Sequence, residues 1–389
     1  MAKKVVILGA GYAGLVCALK LNKLATTQDA EIILVNKHDY HQLITQLHEP
    51  AVGAKKQEDI TISLNSILGS KPIKFIKDTV VSINKEAQTV ELEHSTLSYD
   101  YLVVALGSDT EFFGIPGLKE YSFTMKSVNQ ANRIREHIEK CFQNYNKEKR
   151  DSMLTFVVGG AGFSGIELVG ELADKLPELT AKYNVPKDKV KIYSVEAAPS
   201  IMPGFDPELV EFSKKSLEDR GVKFLIGMPV VQVEPGVVHL KNGDTINTDT
   251  MIWTGGVRGV KQVIDAGFET EPRGRAKLDE HLRALGHTNV WIIGDASFYL
   301  NPEGRPYPPT AQISVQMGDL AADNIYASIK HLKLESFEPH LYGAVASLGR
   351  KVAVANLSPK FKPKGWVAYR IKDASKWRYL STIGALFKK

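Results

Sequence analysis

Short apolar runs alternate along this chain with longer stretches in which apolar residues recur every three or four positions. Residues 5–8, 32–36, 154–158 and 190–195 are runs of four to six mostly apolar residues, rich in Val, Ile and Leu. Such runs suit strands buried on both faces. The stretches at 14–24 and 164–175 fit helices that cross back over a sheet. This alternation predicts an α/β fold with parallel sheets. Two further Val- and Ile-rich segments, 73–92 and 223–240, predict small β-meanders, the second closed by Asn242-Gly243. Pro116-Gly117 punctuates the chain, a polar helix-like run at 128–149 follows, and Arg273-Gly274-Arg275 marks a later break.

The pattern occurs twice. Residues 5–15 read VVILGAGYAGL and residues 156–166 read FVVGGAGFSGI, an offset of 151. YDYLVVALG at 99–107 and TDTMIWTGG at 248–256 follow at an offset of 149. Two pairs in register point to tandem units of one kind. In each unit a Gly-x-Gly-x-x-Gly follows an apolar strand and opens a helix, the arrangement that binds a dinucleotide. Gly9 allows a tight turn, Gly11 lets the backbone approach a pyrophosphate, and Gly14 lets helix and strand pack closely, with Ala10, Tyr12 and Ala13 between them. Gly160, Gly162 and Gly165 repeat the set. Free N–H groups and the dipole at the helix N-terminus favour the phosphates.

The second strand of such a unit ordinarily ends in an acid that holds a ribose hydroxyl. The first unit has Asn36-Lys37 instead, which weakens an NAD assignment there and leaves FAD open. The second unit has Glu196, suited to a ribose 2′-hydroxyl and repelling a 2′-phosphate. NADH is therefore expected over NADPH.

Charge adds a partner. The formal net charge is +5, but ten Lys or Arg lie from residue 351 onward against one acid, Asp373, leaving the body mildly acidic. Residues 361–389 interleave Trp366, Tyr369, Trp377, Tyr379 and Phe387 with these cations. Rings and cations so mixed suit a lipid headgroup layer, and an anionic lipid surface is expected as partner. No nucleic-acid-binding motif accompanies the charge, so nucleic acid is not expected. Lys3-Lys4 run directly into the first strand and no apolar stretch approaches about 18 residues, so a cytosolic body without leader or span is expected. The histidines show no metal-ligand spacing, and no metal is expected.

In this order the motifs resemble those of the two-dinucleotide-domain flavoprotein reductases, and within them the type II NADH:quinone oxidoreductases of bacteria. The likeness rests on GAGYAG at 9–14, NK at 36–37, YDYLVVALGS at 99–108 and GGAGFSGIELVGELAD at 159–174. VEAAP at 195–199, WTGGVRG at 253–259, NVWIIGDAS at 289–297 and RPYPPTAQISVQMG at 305–318 continue it. The resemblance implies two tandem Rossmann-like dinucleotide-binding domains. Residues 1–115 and 285–330 would form a discontinuous FAD-binding domain and 116–284 the NADH-binding domain with its linker helix. Residues 331–389 would be a basic amphipathic segment facing the membrane and a quinone.

The resemblance also implies roles. Gly294-Asp295 would hold the ribityl chain of FAD; Val80 and Gly107 would line its adenine and pyrophosphate, with Gly256 in the corresponding place of the second unit. Ala311 and Gln312 would lie beside the flavin ring. Glu167, just inside the second helix, would sit at the flavin–nicotinamide contact. Gln312 and Gln316, four apart on one helix face, would border a quinone pocket and hydrogen-bond a quinone carbonyl. Lys372 resembles a lysine near the flavin and the quinone mouth, a solvated or lipid-facing charge being the plain alternative.

Disulfide and sulfide:quinone reductases of this architecture need reactive cysteines. Cys17 and Cys141 are far apart, without a CxxC, and inert thiols are expected. The activity implied is non-proton-pumping NADH:quinone oxidoreduction on the cytoplasmic face of the membrane, with menaquinone as acceptor. Two alternatives stay open: a soluble NAD(P)H-dependent reductase of a ferredoxin or other carrier, and a flavin-bound redox sensor with little turnover. A second copy of the chain as partner is also left open.

Overall fold

The computed structural model describes residues 1–386. Two five-stranded parallel sheets form its centre. The first is ordered Val290–Ile292, Tyr101–Val104, Lys3–Leu8, Ala30–Asn36, Ile73–Lys77. The second is ordered Phe123–Thr124, Thr250–Trp253, Thr155–Gly159, Lys191–Glu196, Val222–Ile226. Register is regular, with Val5 opposite Ile32 and Tyr101, and Phe156 opposite Ile192 and Thr250. Central strands are buried along most of their length because helices cover one face and a meander the other.

The strand that follows each glycine-ended segment reveals how the units are joined. Asp109–Thr110 pairs antiparallel with Val257–Arg258, tying the two exits together. One edge strand of each sheet comes from outside the continuous run of chain that builds the rest of it. Val290–Ile292 reaches the first sheet after the second is complete, and Phe123–Thr124 enters the second before its own first strand.

The expected meanders are present with shifted limits. Val80–Asn84, Thr89–Leu92 and Thr96–Ser98 form one, and Val230–Glu234, Val237–Leu240 and Thr245–Asn247 the other. Residues 73–77 and 222–226 belong instead to the parallel sheets. The expected limit at 284 also cuts through a packed layer. Val260, Val263, Phe268 and Ala276 bury against Val6, Leu8 and Val80 of the first unit, not against the second sheet.

Five longer helices matter for the site. The fingerprint helix α1, Tyr12–Leu24, packs on a late helix so closely that a Cβ at Gly318 would collide with the Ala13 carbonyl. The linker helix α2 is Val128–Glu148, and α3, Phe163–Tyr183, is the second fingerprint helix. The late helix is α4, Ala311–Ile329. After the hairpin Ala344–Ser347 and Ala353–Asn356 comes α5, Gly365–Thr382.

The tail is not the simple amphipathic helix that was expected. Helix α5 lies on the hairpin and turns Ala368, Lys372, Tyr379 and Leu380 inward, followed by buried Ile383 and Ala385. Trp366, Val367 and Trp377 are at least half exposed on its other side. Apolar residues thus occupy both sides, because the inner one is held as much by polar contacts as by packing. Phe387 lies outside the described residues. No described helix is long and apolar enough to cross a membrane.

Candidate functional site

Both fingerprints are built as the glycine spacing requires. Gly9 and Gly160 have φ of 100° and 93°, a region closed to most side chains. A Cβ on Gly14 or Gly165 would collide with the carbonyl of Gly9 or Gly160. Around Gly11 and Gly162, by contrast, a Cβ would meet nothing within 4 Å, so the loop backbone is open there. Neither α1 nor α3 has a side-chain cap or an acid in its first turn. Elsewhere α2 and α4 are capped by the Ser127 and Thr310 hydroxyls. The N-termini of α1 and α3, each uncapped, led in by a Gly-x-Gly-x-x-Gly loop and beside an open glycine, fit a pyrophosphate.

The second-strand residues hold these loops from beneath. Asn36 Oδ1 accepts from the Ala10 N–H at 2.9 Å while its amide donates to the His38 carbonyl at 2.7 Å. Glu196 accepts from the Ala161 N–H at 2.6 Å and from the Ala198 N–H at 2.8 Å, one bond to each oxygen. Each carboxylate oxygen keeps a second lone pair, so a ribose hydroxyl can still donate to it. Lys37 is exposed at the strand end.

Around the first unit the remaining expected residues take distinct places. Gly294, with φ of 72°, sits 3.3 Å from Ala13 Cβ by its own would-be Cβ, bringing its turn against α1. Asp295 accepts from the Ser108 hydroxyl at 3.2 Å, which in turn accepts from Lys126 Nζ at 2.8 Å. Burial lowers the Lys126 ammonium's pKa, with Asp295 and Asp109 opposing the shift. Gly107, φ 76°, is open like Gly11, whereas a Cβ on Gly256 would come 3.2 Å from the Phe113 ring, and the Gly256 carbonyl accepts from the Glu111 N–H. Val80 is buried, its carbonyl accepting from Gln262. Ala311 begins α4 and is half-buried.

Gln312 and Gln316 share one face of α4, as expected, but their amides are already engaged. Gln312 donates to the Gly343 carbonyl at 3.0 Å and accepts from the Tyr342 N–H at 3.1 Å. Gln316 donates to the His340 carbonyl at 2.9 Å and accepts from its N–H at 2.8 Å. Both glutamines therefore pin the 340–343 backbone. Gln316 spends both amide hydrogens, on the His340 and Gln312 carbonyls, whereas Gln312 donates only to Gly343 among the described residues and keeps a second N–H from which a quinone carbonyl can accept.

Glu167 stands in the second turn of α3, 9% exposed, where the hairpin and α5 meet. Lys372 Nζ donates to its Oε1 at 2.5 Å and to the Ser347 hydroxyl at 2.7 Å. The Ser347 N–H also donates to Glu167 Oε1, at 3.2 Å. His48 completes the cluster, with Nε2 3.2 Å from Ser347 Oγ and Nδ1 3.5 Å from Glu167 Oε2. Burial foremost, then the Lys372 and Lys55 charges, hold His48 well below the ordinary histidine range, so its ring is neutral. Lys372 is thus neither solvated nor lipid-facing. One helical turn beyond Glu167, the Glu171 carboxyl is pushed up to about 7 by burial, with Glu49 and Asp174 adding to it. Its Oε2 has no hydrogen-bond partner among the described residues.

His48, Ser347, Glu171 and Lys126 were not picked out by sequence reasoning. Only Glu171 carried a signal, its i, i+4 spacing from Glu167 within GIELVGE. The cysteines are buried and free, and burial raises both thiols, Cys141 to about 11. Neither supplies a thiolate at neutral pH.

With this geometry in view, comparison places the chain. Residues 3–318 match the pyridine nucleotide-disulphide oxidoreductase family. A type II NADH:quinone oxidoreductase of Staphylococcus aureus (strain NCTC 8325 / PS 47) is 41% identical over 395 residues, covering 100% of this chain and 98% of that protein. NDH2 from Plasmodium falciparum in complex with NADH shares the fold at TM-score 0.87 and 19% identity, covering 100% of this chain and 98% of the other. The sulfide:quinone oxidoreductase of Aquifex aeolicus does so at 0.81 and 21%, covering 98% and 91%. Duplicated glycine cradles, inert thiols and end-to-end likeness agree: the chain belongs to the pyridine nucleotide-disulphide oxidoreductase family and, within it, to the type II NADH:quinone oxidoreductases.

Proposed function

We propose that the protein is a non-proton-pumping NADH:quinone oxidoreductase, with FAD held by the first cradle and NADH by the second. The observation that carries the reading is the pair of uncapped, open glycine cradles that differ at one position, neutral Asn36 in one and Glu196 in the other. Residues 1–115 with about 285–330 would hold the flavin, with Gly9–Gly14 loop amides on its phosphates and Asp295 and Gly107 at its edge. Residues 260–284, which pack on the first sheet, would support that unit structurally.

Bound FAD would supply the two-electron step between nicotinamide and quinone. The chain's own part is positioning and proton handling. Glu196 selects the unphosphorylated ribose by charge. Glu167 holds Lys372 and the Ser347 backbone in one place, joining α3 to the tail. Glu171, its pKa raised to about 7 by burial, exchanges a proton near that cluster around neutral pH. Gln312 and Gln316 fix the 340–343 wall over the end of α4.

The outward side of α5 supports peripheral attachment to the cytoplasmic face of a membrane. Trp366 and Trp377 are exposed, and Arg370 and Lys376 lie over their rings at 5.9 and 5.6 Å from the centroids. Such cation–ring pairs suit anionic headgroups. Purified protein should oxidise NADH with a short-chain quinone, and the replacement of Trp366 and Trp377 by Ala should weaken vesicle binding while sparing that soluble activity. Flavin reduction by NADH without turnover on any quinone, menaquinone included, would instead favour a redox sensor.

A further inference from the structure

The Ala10–Gly11 peptide of the first cradle is held from the far end of the chain. The Ala10 carbonyl lies 2.8 Å from His41 Nδ1, and His41 Nε2 lies 2.9 Å from the Tyr379 hydroxyl in the last turn of α5. His41 is fully buried, and Tyr379 is 9% exposed. A carbonyl oxygen only accepts, so Nδ1 must carry the imidazole proton. In a neutral ring Nε2 is then the acceptor, and the Tyr379 O–H donates to it. Burial keeps both groups in those forms, lowering His41 to about 4 and raising Tyr379 well above the usual phenol range.

The same tyrosine ring stacks on Tyr12, centroids 4.2 Å apart and planes 28° from parallel. Tyr12 in turn meets the His41 ring edge-on at 5.4 Å and hydrogen-bonds Thr45 Oγ1 at 3.2 Å. Two residues between the fingerprint glycines, Ala10 and Tyr12, are therefore both held by residue 379.

A trans peptide points its C=O and N–H in opposite directions. Fixing the Ala10 carbonyl inward on His41 sends the Gly11 N–H outward, where the loop is open and no acceptor for it exists among the described residues. That N–H belongs to the set available to a phosphate. We propose that Tyr379, acting through His41, is a positioning residue for FAD: it sets the Ala10–Gly11 peptide in the orientation that binds the diphosphate. The inference rests on the reading that the first cradle holds FAD. The second cradle has no such brace. Its equivalent carbonyl, Ala161, accepts from the Met202 backbone N–H at 2.8 Å, entirely within its own unit.

The test uses full-length protein stripped of flavin and titrated with FAD, binding being followed by flavin fluorescence. Tyr379→Phe keeps the ring stack and removes the hydroxyl, leaving His41 Nε2 buried without a donor. FAD affinity should fall roughly tenfold. Affinity for NADH should stay within error, and the melting temperature of the flavin-free protein should fall by a few degrees at most. Ser381→Ala, an exposed change in the same turn, should bind FAD as the parent does. A second variant, His41→Asn, should lose at least as much FAD affinity. The inference is overturned if Tyr379→Phe binds FAD like the parent, or if it only lowers the melting temperature of the flavin-free protein. If the parent protein itself takes up no FAD, the underlying reading fails as well.

Discussion

Ala10 and Ala161 occupy the same place in the two glycine loops, yet their carbonyls are held by different means. In the second unit the Met202 backbone provides the donor, about forty residues on and within the same fold unit. In the first the donor is a histidine side chain backed by the C-terminal helix. The second-strand residues differ too, Asn36 bridging Ala10 and His38 where Glu196 accepts from two backbone amides. Further along the helices, apolar Val16 on α1 corresponds to Glu167 on α3. Val16 sits in an apolar cluster, whereas Glu167 takes the tail through a largely buried ion pair with Lys372. The lesson is that glycine geometry is kept where phosphate chemistry demands it. The units diverge where each must choose a ligand or a neighbour.

The sharpest way to break the comparison is to damage one cradle at a time. Gly14→Ala drives a Cβ into the Gly9 carbonyl and Gly165→Ala into that of Gly160. The first should abolish FAD retention, read as loss of flavin absorbance after gel filtration. The second should keep flavin but raise KM for NADH by roughly 100-fold. A colourless Gly165→Ala protein would show that the units do not act separately.

The next effect is on the buried pair. Lys372→Met strands the Glu167 carboxylate and should destabilise the protein by about 3 kcal/mol. Adding Glu167→Met should restore much of that loss, seen as partial recovery of melting temperature. Simple additivity of the two changes would mean the contact carries little coupling.

Glu171 gives a smaller, pH-dependent effect. Its folded pKa, about 7, lies above the ordinary 4.5, so the folded state binds the proton more tightly. The associated stability is complete below about pH 4.5 and is lost as pH rises through 7. Glu171→Gln cannot ionise and should gain on the parent between pH 5 and 8 by about 2 kcal/mol. A melting-temperature difference that does not change with pH would refute the shift.

The smallest effect concerns the second-strand residues. Glu196→Gln exchanges one acceptor for a donor and should raise KM for NADH roughly tenfold while narrowing the gap to NADPH. Asn36→Asp leaves the His38 carbonyl without its donor and should weaken FAD by only a few-fold. Unchanged NADH and NADPH kinetics in Glu196→Gln would remove that residue from nucleotide selection.

How much of this could be read along the chain depended on the range of the interaction. The glycine loops, α1, α3 and the linker helix are local patterns, and apolar spacing together with Gly φ requirements made them legible. Phe123–Thr124 was not, having only two residues. The return of Val290–Ile292 to the first sheet came from the family resemblance that grouped 285–330 with residues 1–115, since by its own pattern it looks like any buried run. Long-range side-chain partners were hidden altogether. Nothing near His48 or Lys372 says that they will meet 324 positions apart. The basic, aromatic tail suggested lipid from its composition alone. Its inward side, which leaves Tyr379 buried and Lys372 half-buried on Glu167, appears only when the hairpin is in place.

The imported strand at Val290–Ile292 has a consequence for how the polypeptide matures. The sheet holding the second cradle is complete once residue 253 has been made, whereas the first lacks an edge until residue 292 and a covering helix until 329. The later-made half can therefore close its sheet first, while the Tyr101–Val104 edge of the N-terminal half waits for Val290–Ile292. A nascent chain arrested before residue 290 would be the species most exposed to aggregation or to rescue by a chaperone.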